Sequence, residues 1–570
     1  MARYFPLTLA AFALSACSTL ATQTDPPPLQ GSVSAADPRA QAAGEEMLRR
    51  GGSATDAAIA VMLALTVVEP QSSGIGGGGF LVRGEADGDV TTYDGRETAP
   101  AAATPEWFLD AEGNVLSYRE AVMSGLSVGV PGNIALAAKA HKTHGTLAWE
   151  ALFEPAIALL EDGFIVNPRL HSMLADNAPR AGLSEAGRAI YFDEDGAPRP
   201  VGSRIDNPAL LDTMRRLASE GPDAFYGEPS AAQIASVIAG ATPRHGGRTG
   251  AMTMRDVASY EARERAPVCT AYRRYRICSM GPPTSGGIAV QQILGQLERF
   301  DLTALGADNP ATWHLFIESQ KLAYADRELY LADSDYVGVP VQGLLERSYL
   351  ARRSALISQD SSIPNPQPGQ PRGAPLALAD GDEPLEQGTS HFSVVDSEGT
   401  MVSYTSTIEG PFGSGLISGG FFLNNELTDF SRSPEVDGKL VANRVEGGKR
   451  PRSSMSPTIV YDPQGKPFMA VGAAGGSTIP VTTARAIIGA IDFGLDAREA
   501  LALPFLMAFG DSLLLEEGTW LEARQDDFRD LGHAEITIRR APIKGGALLR
   551  RDGVWQSARD PRLEGQLELP

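Results

Sequence analysis

Several stretches of this chain combine reactive side chains at spacings that could do chemistry. In Gly388-Thr-Ser-His-Phe-Ser-Val-Val-Asp396 a strand-like alternation starts directly on Thr389, after a Pro-rich run and without turn or cap residues leading in. A threonine hydroxyl is a weak nucleophile and needs a base beside it, so this abrupt start poses the question of what the threonine is for. Gly125-Leu-Ser-Val-Gly129 fits the G-x-S-x-G elbow of serine hydrolases. That elbow needs a buried strand before it and a helix directly after it. Here a polar, helix-like Tyr118-Arg119-Glu120 precedes it and Pro131-Gly132 follows, so the motif reads as a backbone turn. The cluster Gly76 to Gly79 lacks the Lys and Ser/Thr of a phosphate loop and reads as close backbone packing. His141 and His144 have metal-like spacing but no third ligand nearby, and HExxH is absent. No cofactor or metal site is expected.

The elements that must position these residues form one continuous α/β pattern without repeats. Helices are predicted over 40–50, ending at Gly51-Gly52, and over the Ala-rich 56–68, with others near 133–141, 147–161 and 307–331. A strand is predicted at 80–82. Beyond Thr389 the pattern turns β-rich, with strands at 391–395, 401–407, 458–461 and 468–471 separated by turn residues. Between the two regimes, 361–387 is full of Pro, Gly and acidic residues and reads as disordered or barely packed.

With 570 residues, 43% of them hydrophobic, the chain can bury an extensive core. Its net charge of −21 argues against nucleic acid, which needs Lys and Arg to neutralise phosphate. The apolar run 5–16 behind Arg3 is too short to span a bilayer. It ends in Leu14-Ser-Ala-Cys17, similar to a bacterial lipoprotein box with Cys17 as the lipidated residue. Residues 1–16 are therefore read as a lipoprotein signal peptide and 17–36 as a tether, in a protein exported to the periplasm and anchored to the outer membrane. A turn at Arg273-Arg274 would set Cys269 opposite Cys278 at a non-hydrogen-bonded position, close enough for a disulfide. Arg-Arg is poor turn chemistry, and a disulfide and two buried thiols stay equally open.

As a set, GGSATDAAIA, VVEPQSSGIGGGGF, YDGRETAPAAAT, VGVPG, GPPTSGGIA, GTSHFSVVD, FGSGL, LNNELTDFS, RPRSSMSPTIV and AAGGS resemble the γ-glutamyltransferase family of N-terminal-nucleophile hydrolases, from about residue 37 to the C-terminus. The resemblance implies an α/β (α+β) fold, a four-layer αββα sandwich made from a self-cleaved precursor. Residues 37–388 would be the large subunit and 389–570 the small one, the two forming a heterodimer. It also answers the question of Thr389. A free α-amine on the threonine itself can act as the base, and its reference pKa of roughly 7.7–8.0 leaves a usable neutral fraction near neutral pH. The Gly388–Thr389 bond must therefore be cut first, by the Thr389 hydroxyl attacking the Gly388 carbonyl. The strand starts abruptly because the residue is to become a chain end.

By the same resemblance Thr407 contacts the freed amine, and Gly475 and Gly476 form an oxyanion hole, worth roughly 2.7–4 kcal/mol per donor. Arg96 holds a substrate α-carboxylate, completed by Ser453 and Ser454, while Glu426 and Asp429 receive the α-ammonium. The implied substrates are glutathione or another γ-glutamyl compound as donor, and water, an amino acid or a dipeptide as acceptor. Two departures matter. Glu409 stands where many members have Asn, adding a negative charge beside an anion, and 431–450 contains no aromatic to form a lid. A glutaryl-type acylase of the same family is the runner-up, and a non-catalytic surface lipoprotein the third reading.

Overall fold

The computed structural model describes residue 1 and residues 31–241, 249–375, 378–379, 381 and 388–568. Two six-stranded antiparallel sheets form the centre. The first has the order Gly31–Ala35, Ser390–Asp396, Met401–Thr407, Gly78–Gly84, Val90–Asp94, Arg263–Arg265. The second has the order Val554–Arg559, Lys544–Arg551, Pro467–Ala474, Thr458–Tyr461, Tyr275–Ser279, Val268–Tyr272.

Hydrophobic patterning explains the layers. Phe80, Val82, Val395 and Met401 of the first sheet pack face to face against Ile459, Ala470 and Leu548 of the second. The opposite face of the first sheet, with Leu81, Phe392, Val394 and Val402, covers helices Pro38–Arg49 and Ala54–Val68. The outer face of the second, with Ile277, Met469 and Val471, covers helices Gly286–Leu297, Pro310–Tyr330 and Ile479–Ile491. The expected four-layer αββα sandwich is what forms. Helix Ala54–Val68 is apolar all round because every one of its residues is buried, and a Ser53–Asp56 capping box starts it. Each sheet contains strands from both sides of residue 388, so a cut there leaves two fragments that share both sheets.

Several expectations need correcting. The tether read over 17–36 ends earlier: Gly31–Ala35 is an edge strand paired with Ser390–Asp396, and Val33, Ser34 and Ala35 are buried. The helix read over 147–161 is a 3₁₀ turn, Trp149–Phe153, followed by an α-helix, Glu154–Glu161. Pro155, which has no N–H to donate, suits the first turn of a helix and not its middle, so the α-helix begins there. The run 361–387 is not loose throughout. Residues 361–375 lack regular structure yet are hydrogen-bonded to helix Pro310–Tyr330. The Ile363 N–H donates to Glu318, the Lys321 ammonium to the Ile363 carbonyl (2.6 Å), the Gly369 N–H to Asp326 (2.8 Å), and the Tyr330 hydroxyl to the Gly369 carbonyl (2.7 Å). The signal peptide, Cys17 and the tether up to residue 30 lie outside the described residues. Among the described residues no helix is long and apolar enough to cross a membrane.

The hairpin Val268–Tyr272/Tyr275–Ser279 puts Cys269 directly opposite Cys278, with Cα atoms 4.2 Å apart, and the two are bonded. Arg273 and Arg274 both take positive φ, 47° and 70°, as a tight hairpin turn requires. Arg273 is held there by Asp492 (3.0 Å) and by the Glu298 and Phe300 carbonyls. Alkylation of the denatured, unreduced protein is expected to leave Cys269 and Cys278 unlabelled, with both labelled after reduction. Mass spectrometry of the peptides checks this, and labelling without reductant would show free thiols.

Candidate active site

Thr389 stands at the mouth of the sandwich, where Ser390–Asp396 begins between two neighbouring strands. It is 5% exposed, and its Oγ1 donates to Thr407 Oγ1 at 3.1 Å. In the uncut chain its nitrogen is a peptide N–H, donating to the Ser72 carbonyl at 3.0 Å. The junction is strained. Thr389 has φ +94°, an outlier for a β-branched residue, and such conformations cost about 1–3 kcal/mol. A Cβ on Gly388 (φ +154°) would lie 1.8 Å from the Glu409 carbonyl, so only glycine fits before Thr389. The turn on that side is itself left-handed at Glu409 (φ +71°), whose N–H donates to Thr407 Oγ1 at 2.8 Å. The glycine cluster makes room for this turn: at Gly77 a Cβ would meet the Thr407 carbonyl at 1.9 Å.

The second sheet brings Gly475 and Gly476 to the same end. Ser403, paired with Ser393, donates to the Val471 carbonyl at 3.1 Å, and the next residue, Gly472, lies against His391. The strand Pro467–Ala474 therefore runs toward Thr389 and delivers Gly475 and Gly476 (φ +127° and +61°) just beyond. His391 is neutral: burial pushes its imidazole down to about 3, and it bonds Thr405 and Ser393.

A third group of residues forms a buried charged patch. The Arg96 guanidinium bonds both the Glu426 and the Asp429 carboxylates, and it also donates to the Pro451 (3.1 Å) and Arg452 (2.9 Å) carbonyls. Those carbonyls lead directly into Ser453 and Ser454. The Ser454 hydroxyl accepts from Arg327 at 2.7 Å, and the Ser453 hydroxyl accepts from the Met455 N–H at 3.1 Å. Beneath Arg96 the Glu97 carboxyl faces that of Glu426, and burial raises it to about 7 against the pull of Arg96. Glu409, 3% exposed, receives the Asn425 amide and the Tyr118 hydroxyl, and burial together with Glu409 pushes the Tyr118 phenol well above its usual range. A cavity of about 660 Å³ opens beside Asp429, Arg452 and Ser477, walled by Tyr324, Phe509 and residues 365–368.

The structure thus gathers Thr389, Thr407 and Glu409 at the head of strand Ser390–Asp396, and Arg96, Glu426, Asp429, Ser453 and Ser454 in one patch. The rejected motifs are elsewhere. Ser127 is buried, and its hydroxyl donates to backbone carbonyls. His141 bonds the Leu147 carbonyl and His144 the Tyr93 hydroxyl, so they form no joint site. Residues 435–440, within the aromatic-free stretch, form a small exposed hairpin. Sequence reasoning missed Tyr118, Asn425, Glu97 and Arg327; only the adjacency of Glu97 to Arg96 and of Asn425 to Glu426 was visible in the chain. His314, Glu318 and His533 also meet in the interior. Each is already engaged there: His314 with His533 (2.9 Å) and the Ser358 carbonyl (3.1 Å), Glu318 with Lys321 (3.2 Å).

Comparison with known proteins agrees with this geometry. The family profile described as Gamma-glutamyltranspeptidase matches residues 40–569. The chain is 38% identical over 487 residues to the glutathione hydrolase proenzyme of Escherichia coli (strain K12), covering 83% of this chain and 80% of that protein. It is 36% identical over 485 residues to the glutathione hydrolase proenzyme of Bacillus subtilis (strain 168), with the same coverage. Among solved structures, cephalosporin acylase from Bacillus halodurans superposes with a TM-score of 0.80 at 26% identity, over 95% of this chain and 97% of that one.

The ionisation of Glu97 gives a test. A carboxyl whose folded pKa, about 7, lies above the ordinary 4.5 keeps a proton in the folded chain that the unfolded chain releases across that window. Its contribution to stability is therefore complete below the ordinary value and is lost as pH rises toward 7. Glu97→Gln, which never ionises, escapes that loss. The melting temperature of Glu97→Gln minus that of the wild type is expected to rise between about pH 5 and about pH 8. A flat difference would mean that Glu97 is already ionised at the lower pH.

Proposed function

The chain belongs to the γ-glutamyltranspeptidase family and is a γ-glutamyl hydrolase/transferase of the N-terminal-nucleophile type; from that premise we propose that Thr389 is its self-generated nucleophile and that α-amino donors are preferred over glutaryl ones. In self-cleavage Thr389 Oγ1 attacks the Gly388 carbonyl carbon, the C–N bond breaks, and the hydroxyl proton ends on the departing nitrogen. Water then hydrolyses the ester, freeing the Gly388 carboxylate and the Thr389 hydroxyl beside the amine already released. The strain at Gly388–Thr389 and the 3.1 Å contact with Thr407 support this assignment.

In turnover the amine takes the hydroxyl proton as Oγ1 attacks the γ-carbonyl carbon. The Gly475 and Gly476 N–H groups face the oxyanion, and the amine returns the proton to the leaving nitrogen. Water or an amine acceptor resolves the ester. Residues 37–388 and 389–570 stay together as a heterodimer, supported by the pairing of strands from both segments within each sheet.

The observation that carries the substrate preference is the clasp of Arg96 between Glu426 and Asp429. One guanidinium between two carboxylates leaves those carboxylates in excess of the one charge that bonds them both. Such a patch suits a zwitterion: the α-carboxylate takes Arg96, Ser453 and Ser454, and the α-ammonium takes the carboxylates that Arg96 gives up. A glutaryl group would bring only the anion and leave those carboxylates without a cation. The likeness to a cephalosporin acylase keeps the glutaryl reading as the competitor to be tested. We also propose export with lipidation at Cys17. The Leu14–Cys17 box supports it, as does the disulfide, which needs an oxidising compartment.

Wild-type protein is expected as two associated fragments split at Gly388–Thr389, and Thr389→Ala as a single chain; an active, uncut wild type would overturn the mechanism. With γ-glutamyl and glutaryl anilides assayed side by side, the γ-glutamyl anilide is expected to be the better substrate, and the reverse order would transfer the assignment to an acylase. Glu409→Gln is expected to lower kcat/KM for the γ-glutamyl anilide by about tenfold, about 1.4 kcal/mol, while sparing the glutaryl one. Equal losses for both would place Glu409 with the fold or the nucleophile instead.

A further inference from the structure

Behind the nucleophile lies a buried ion pair that the mechanism above does not use. Glu69 follows helix Ala54–Val68, and Lys544 begins the strand Lys544–Arg551, where it is the register partner of Ala474, the residue before Gly475. The Lys544 ammonium donates to Glu69 Oε2 at 3.1 Å, to Ser72 Oγ at 3.0 Å and to Ser390 Oγ at 3.4 Å. Ser390 donates in turn to Glu69, and Arg169 approaches the other Glu69 oxygen at 3.4 Å. Ser72 is the residue whose carbonyl holds the Thr389 N–H, and Ser390 is the residue after Thr389. Lys544 therefore touches the chain on both sides of the nucleophile's nitrogen.

Both charges are almost wholly buried, at 7% and 1% exposure. A buried pair is a poor source of stability, because desolvation offsets most of the attraction, so its place beside Thr389 calls for another reason. We propose that Lys544, seated on Glu69, is a positioning residue that keeps the α-amine of cleaved Thr389 in its free-base form, by setting a positive charge beside it and by fixing Ser72 and Ser390 around it. The proposal rests on the reading of Thr389 as an N-terminal nucleophile. A second cation next to an ammonium is unfavourable, so the amine releases its proton at lower pH. Charged groups facing this region include Lys544 from its strand, Glu69 at the end of its helix, Arg169 from helix Pro168–Asp176 behind Glu69, Glu409 from the turn after Met401–Thr407, and Arg180, which donates to the Pro411 carbonyl of that turn at 3.3 Å. Asp37 faces Lys544 from the start of helix Pro38–Arg49. Glu409 favours a protonated amine, and Lys544 offsets it.

The ionisation states fit. Burial pushes Lys544 down to about 8, which leaves it mostly protonated at neutral pH and below. Burial alone would raise Glu69, but Lys544, Arg169 and Ser390 outweigh it and hold that carboxyl below its usual range. The pair is therefore charged where the amine has to act as a base.

The test is the titration of the amine itself. Mature wild type, Lys544→Met and Lys544→Arg are treated with an amine-reactive reagent across pH, and modification of the peptide beginning at Thr389 is followed by mass spectrometry, alongside the acid limb of kcat/KM. In Lys544→Met both midpoints are expected to move up by about one pH unit, whereas Lys544→Arg stays near wild type. A purely structural role would lower the amount of active protein without moving either midpoint. Midpoints unchanged in folded, cleaved Lys544→Met overturn the proposal. If Lys544→Met does not fold, Arg169→Gln decides: removing the cation behind Glu69 is expected to raise the midpoint by a smaller amount, and no rise overturns the proposal. A wild type with no peptide beginning at Thr389 would overturn the nucleophile reading and this inference with it, an outcome distinct from an unmoved midpoint.

Discussion

The backbone around Thr389 is the constraint on which the rest of the structure depends. Its N–H is tied to the Ser72 carbonyl, its hydroxyl to Thr407, and the glycine before it lies directly on the Glu409 carbonyl. Three segments far apart in sequence therefore have to meet at one point: the loop after helix Ala54–Val68, the head of strand Ser390–Asp396 and the turn after Met401–Thr407. Pairing of Met401–Thr407 with both Ser390–Asp396 and Gly78–Gly84 holds them in register, because a slip of one residue would turn Thr389 and Thr407 to opposite faces.

Around that point buried charges are arranged in alternation. Asp94 accepts from the Arg96 N–H at 2.8 Å and pairs with Arg450 (2.8 Å) and Arg265 (2.7 Å), while Arg450 also donates to the Arg96 carbonyl at 2.8 Å. The backbone of Arg96 is thus fixed by one ionic set and its guanidinium by another, Glu426 and Asp429. Arg327 joins Ser454 to Ser285, whose hydroxyl donates to the Ser453 carbonyl at 2.6 Å, so the serine loop is held rigidly beside Arg96. Rigid placement of this kind lets a site tell a zwitterion from a plain anion, because neither partner can swing away to solvate itself.

The two sheets bring the candidate site residues in from different layers. The first sheet carries Thr389 and Thr407, and the second delivers Gly475–Gly476 and Lys544 from adjacent strands. Residues 361–375, strapped to helix Pro310–Tyr330, contribute to one wall of the cavity beside Asp429.

Local chemistry in the sequence was enough to place the helices read over 40–50 and 56–68, observed as Pro38–Arg49 and Ala54–Val68, the strands on either side of the turn at 397–400, the hairpin that faces Cys269 with Cys278, and Thr389 as a strand head with no preceding cap. These features are written in neighbouring residues, through periodicity and turn types. The Pro/Gly-rich 361–375 misled because composition reports side-chain hydrophobicity, whereas that segment is held by its backbone amides and carbonyls. The charge state of Glu97, the Tyr118 contact with Glu409 across 291 residues and the Lys544–Glu69 pair across 475 were decided only by the tertiary structure. Stacking the two sheets and burying what lies between and behind them sets both the partners and the dielectric of those groups, and neither quantity is local to the chain.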